Sequence, residues 1–75
     1  MKINGIIEYI DLEGGFWGVR TDSGQKYIPI DIPDLLKKEG QAVILTAEKV
    51  KDAAGLHQWG TYIRILSFEV LPRSS

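Results

Sequence analysis

Ile32-Pro33-Asp34-Leu35-Leu36-Lys37-Lys38-Glu39-Gly40 is the stretch of this 75-residue chain that reads as helix. Pro33 suits a first helical turn, because the N–H it lacks is one that a helix start leaves unbonded anyway. Asp34 complements the positive N-terminal end, Lys37 and Lys38 the negative C-terminal end, and Gly40 is the expected C-cap. Roughly two turns fit here, with Leu35 and Leu36 expected to face a sheet and plug one end of it. Three strand-like segments precede the stretch and two follow. That order predicts an all-β fold, a small five-stranded Greek-key barrel with one short helix between strands 3 and 4.

The first strand is expected over residues 2–12. Ile3, Ile7 and Tyr9 share one parity against Lys2, Asn4 and Glu8, and the apolar parity then switches to Ile10 and Leu12. Such a switch predicts a bulge near Tyr9-Ile10, with Gly5 easing the curvature. Glu13-Gly14-Gly15 is a turn signal, and residues 16–21 form the second strand with Trp17 and Val19 facing the core. Thr21-Asp22-Ser23-Gly24 reverses the chain into a third strand over 26–30, where Ile28 and Ile30 are expected inward. Pro29 cannot donate to a ladder, so this strand is expected to be edge-like.

Residues 41–51 read as the fourth strand, with Val43, Leu45 and Ala47 on one face, and Asp52-Ala53-Ala54-Gly55 ends it. In the fifth, over 60–70, Ile63 and Ile65 share one parity while Phe68 and Val70 take the other, which again implies a bend or bulge. Pro72 closes the ordered region, expected over residues 2–71 of a single domain spanning 1–75, and Arg73-Ser74-Ser75 is a frayed end.

A chain this short buries only about 60 per cent of the surface that its unfolded form exposes. It has no cysteine, so one apolar core must hold it without disulfides or thiolate-bound metal. Apolar residues make up 44% and charged residues 25%, the latter spread along the chain rather than gathered into a tail, which is the composition of a folded domain and not of a disordered one. The N-terminus lacks the apolar run of a secretory signal, and no stretch approaches the ~20 apolar residues of a membrane span. The expectation is a soluble, cytoplasmic protein with no membrane role. Its formal net charge of −1 supplies no global attraction to phosphate backbones.

The element order resembles the oligonucleotide/oligosaccharide-binding (OB) fold over residues 2–71. Gly15-Phe16-Trp17-Gly18, Lys26-Tyr27-Ile28-Pro29-Ile30 with Ile32-Pro33, and Trp59-Gly60 are similar to a group of small, largely uncharacterised prokaryotic domains of that fold. The resemblance implies a barrel and brings no activity with it. It also implies where a ligand would lie: across strands 2 and 3, flanked by the loops joining strands 1 to 2 and 4 to 5.

That region selects Phe16, Arg20, Lys26, Tyr27, His57, Trp59, Tyr62 and Arg64 as candidate ligand-binding residues. Aromatics could stack on bases or sugars, each base being worth ~1–3 kcal/mol, with Arg and Lys holding phosphates. Phe16 and Tyr27 are placed on the parity opposite Trp17, which itself reads as core. Trp59 either joins this face or caps the barrel's end. Against nucleic acid, the loop that would close over a strand carries Asp11 and Glu13, and Asp31 and Asp34 follow strand 3. Lys49 and Lys51 alternate along a solvated face.

Catalysis finds little to work with: there is one histidine, His57, and no Gly-rich phosphate loop between a strand and a helix. Ser23 lies in a turn without an evident base, and Asp11, Glu13 and Asp22 lack the spacing of a calcium loop. No cofactor or metal is implied. The sequence therefore reads as a non-catalytic binding or protein-interaction module. A protein partner or a second copy would use the edge at Pro29, and the alternative is weak binding of single-stranded nucleic acid or oligosaccharide on the strand 2–3 face.

Overall fold

The computed structural model describes residues 1–51 and 59–72. Five strands, β1 (Lys2–Ile10), β2 (Phe16–Thr21), β3 (Lys26–Pro29), β4 (Ala42–Lys49) and β5 (Thr61–Val70), form a closed barrel in the order β1-β2-β3-β5-β4. All neighbours run antiparallel except β3 and β5, which are parallel. Closure comes from β1, whose first half pairs with β4 (Lys2↔Thr46 to Ile6↔Ala42) and whose second half pairs with β2 (Gly5↔Thr21 to Ile10↔Phe16). Gly5 and Ile6 pair on both sides. At Gly5 the sheet folds so tightly that an added Cβ would lie 2.6 Å from Val19 Cγ1 and 2.9 Å from the Arg20 carbonyl oxygen, so only glycine fits.

The core is the inward parity of each strand. Ile3 and Ile7 of β1, Val19 of β2, Val43, Leu45 and Ala47 of β4, Ile63 of β5 and Leu36 form one buried cluster, with Trp17, Tyr27, Ile32 and Ile65 packed against it. Burying each such aliphatic side chain contributes about 1.5–3 kcal/mol. Among the described residues no helix is long and apolar enough to cross a membrane.

The expected two-turn helix is a single 3-10 turn, Asp34–Leu36. Leu36 is fully buried, whereas Leu35 is 76% exposed. Adjacent residues on a 3-10 turn point about 120° apart, so one turn can aim only one of the two leucines inward. The helix stops because β1 captures the following residues. Gly40 N–H donates to the Ile7 carbonyl and Ile7 N–H to the Gln41 carbonyl, both at 2.8 Å. Two residues thus oppose one, a β-bulge whose first member is a glycine at φ +84° rather than a helix C-cap. The buried Gln41 adds side-chain bonds to the Ala42 and Leu71 carbonyls, at 2.9 and 3.1 Å.

Burial switches at Tyr9-Ile10 as expected, Ile10 being buried and Tyr9 exposed, but no bulge causes it, because the register of β1 with β2 is continuous there. Tyr9 stays on the inner parity but runs past the rim of the core and leans edge-on against Trp17, at 5.3 Å between ring centroids. Leu12 lies beyond the strand and is exposed. In β5 the expected irregularity is present: Thr46 pairs with Ser67 but Ala47 pairs with Ile65, leaving Leu66 as the extra residue.

β3 corrects the reading at two points. It has β2 on one side and β5 on the other, so it is not an edge open to another chain. Pro29 is tolerated because the two-pair ladder with β2 has already ended at Tyr27. Ile28 is buried as expected, but Ile30 follows the strand and is exposed.

Candidate ligand-binding face

Alternation along β2 points Phe16, Gly18 and Arg20 outward, because Trp17 and Val19 face the core. The absent side chain at Gly18 leaves a gap in this outer row, and Trp59 fills it. A Cβ built on Gly18 would lie 2.5 Å from Cζ3 and 2.7 Å from Cη2 of the indole. Trp59 reaches this position from the residue pair just before β5. Its neighbour Gly60 passes so close to β3 that a Cβ there would meet the Lys26 carbonyl oxygen at 2.5 Å.

Three side chains surround the half-buried Trp59. Phe16 meets it edge-on, with centroids 5.8 Å apart and planes at 70°. Lys26 Nζ lies 5.4 Å and Arg20 Cζ 5.9 Å from the ring centroid. Arg20 and Lys26 are direct partners in the β2–β3 register, which is why two cations from different strands converge on one ring. Attraction to the ring is worth ~0.5–1 kcal/mol per cation at exposed sites. Glu8, opposite Gly18 on β1, accepts a 2.5 Å hydrogen bond from Arg20 Nε. Lys26 has no carboxylate within ion-pair distance among the described residues.

Of the eight candidates, Phe16, Arg20, Lys26 and Trp59 come together. Tyr27 does not join them. It pairs with Val19, so its ring lies on the core side, and its hydroxyl donates to Gln25 Oε1 at 3.1 Å beside a cleft of about 340 Å³ lined also by Asn4, Asp22 and Ser23. A one-residue difference in strand parity is enough to move a side chain to the other face. Arg64 is held by Glu48 of β4 at 3.1 Å, directed away from β3. Tyr62 is half-buried opposite Ile28. His57 lies outside the described residues.

Two participants escaped the sequence reading: Gly18, the seat of the indole, and Glu8, the tether of Arg20. The signal for Gly18 was present, since a glycine inside a strand marks a close approach by another group. Asp11 and Glu13, in the β1–β2 loop, are exposed, as are Asp31 and Asp34. Among the described residues no three His, Asp or Glu side chains are grouped closely enough to hold a metal ion. Comparison of the chain with protein-family models, curated proteins and solved structures finds no match.

Proposed function

We propose that this barrel is a non-catalytic binding module of the oligonucleotide/oligosaccharide-binding type, and that its outer β2–β3 face takes short single-stranded nucleic acid weakly. The observation that carries this reading is the seating of Trp59 over Gly18, edge-on to Phe16, with Arg20 and Lys26 at its ring. An aromatic surface takes the face of a base, and cations beside it take the adjoining phosphate. A neutral sugar would call for free amide and carboxylate partners around the ring; the groups at the ring are one phenyl and two cations, and the neighbouring Glu8 carboxylate is engaged by Arg20. Affinity is held low by the small number of those cations and by Glu8, which already engages Arg20. The non-catalytic part rests on residue types, a chain without cysteine and with one histidine.

The test is titration of short oligothymidylate at low salt, followed by tryptophan fluorescence. Micromolar-or-weaker binding is expected, and Trp59→Ala should weaken it by about 1–3 kcal/mol while amide NMR shifts elsewhere in the barrel stay in place. Affinity unchanged in Trp59→Ala, or tighter binding of a neutral oligosaccharide, would overturn the assignment.

A further inference from the structure

Cations on the candidate face stand only at its centre. Arg20 and Lys26 are direct partners in the β2–β3 register, so their Cβ atoms lie about 4.5–5.5 Å apart and both long side chains end at the one Trp59 ring. Because β2 and β3 run antiparallel, the Phe16 end of β2 lies beside the Pro29 end of β3. There the adjoining loops carry exposed carboxylates, Asp11 and Glu13 between β1 and β2 and Asp31 after β3, while Asp34 is held by Lys37 at 3.0 Å. Past the other end, hairpin residues 21–25 bring one charged group, Asp22, which lines a cleft together with Lys2. A strand of nucleic acid laid along the face would therefore carry its next phosphates away from the two cations and toward carboxylates.

We infer, on the nucleic-acid reading of this face, that its ligand is a phosphorylated chain end, with one base on Trp59 and one terminal phosphate shared by Arg20 and Lys26. A phosphate inside a strand is a diester with a single negative charge. A terminal phosphate is a monoester, with a charge of about −1.5 to −2 near pH 7 and three oxygens to divide between an ammonium and a guanidinium. Glu8 takes Arg20 through Nε, which leaves the two terminal nitrogens of the guanidinium to the phosphate. Lys26 brings an ammonium with no carboxylate in ion-pair distance among the described residues. The aromatic part of the site also fits one nucleotide. Phe16 is turned 70° from the plane of Trp59, and two stacked neighbouring bases, being parallel, cannot lie flat on both rings.

The probes are dithymidylate and decathymidylate, each unphosphorylated, 5′-phosphorylated or 3′-phosphorylated, titrated at low salt into the wild-type chain and followed by the amide NMR shifts of Gly18, Lys26 and Gly60. A phosphate on at least one end should tighten dinucleotide binding about tenfold, the worth of one charge-assisted hydrogen bond. Lengthening that phosphorylated probe should change its affinity by less than about fivefold, whereas each further stacked base would add at least that much. Lys26→Gln should narrow the gap between phosphorylated and unphosphorylated dinucleotide, and the comparison of probes on the wild-type chain decides the matter even if this variant fails to fold. Phosphorylation that strengthens binding at neither end, or a phosphorylated decathymidylate more than about fivefold tighter than the dinucleotide, overturns the chain-end assignment and leaves the nucleic-acid reading of the face in place. Absence of binding by every probe overturns both.

Discussion

Trp59 rests on Gly18, its six-membered ring within 2.7 Å of where a side chain at position 18 would begin. The contact joins the residue pair before β5 to the outer face of β2, and it makes an aromatic platform out of a residue that has no side chain. Much of what can be tested about this protein follows from that seat and from the core beneath it.

Gly18→Val fills the seat and displaces the indole. Overpacking of this kind costs about 1–3 kcal/mol. In a Trp17→Phe background, where Trp59 is the sole tryptophan, its emission should shift to the red and oligonucleotide binding should fall, while amide NMR shifts of β4 are unchanged.

Trp17→Ala removes a half-buried ring that packs on the core and stacks against Tyr9. The expected loss is about 3 kcal/mol, the lower end for aromatic truncations because part of the ring is already solvated. Urea unfolding should show this as a large drop in midpoint. An unchanged midpoint would mean that the ring makes no core contact of consequence.

Leu36 and Leu35 are neighbours with opposite fates. Leu36→Ala opens a cavity under the 3-10 turn and should cost about 2–5 kcal/mol, whereas Leu35→Ala should stay within about 0.5 kcal/mol of the parent. Thermal melts of the two variants side by side give the comparison, since 1 kcal/mol moves Tm by roughly 4–8 °C in a domain this small. Equal effects would contradict the single-turn geometry.

Salt should weaken oligonucleotide binding only mildly. With Arg20 and Lys26 as the cations at the platform, the slope of log K against log salt should lie between about −0.7 and −1.4. Lys26→Ala should reduce that slope by about 0.7. A much steeper slope would require cations elsewhere on the barrel.

Five strands in the observed order were legible in the chain, and so were the inward residues Val19, Val43, Leu45, Ala47 and Ile63. The bulge in β5 was legible too, because Ile63 and Ile65 change parity with Phe68 and Val70 across Leu66. The candidate face was legible in half of its members. Phe16 and Arg20 follow from alternation within β2, while Lys26 and Trp59 depended on a resemblance to say which strands meet.

What the sequence determined by itself is local. Alternation with a period of two fixes which side of a strand is apolar, and Gly, Asp and Ser clusters fix where it turns, because both act between residues only a few positions apart. Tertiary structure decided whatever depends on residues distant in sequence. Ile7 captures Gly40 and Gln41 and so shortens the helix to one turn. Val19 pairs with Tyr27 and turns its ring to the core side. β5 lies alongside β3 and removes the edge expected at Pro29. A helical turn or a strand face is only a weak local preference, and backbone pairing across the barrel outweighs it by satisfying several buried hydrogen-bonding groups at once.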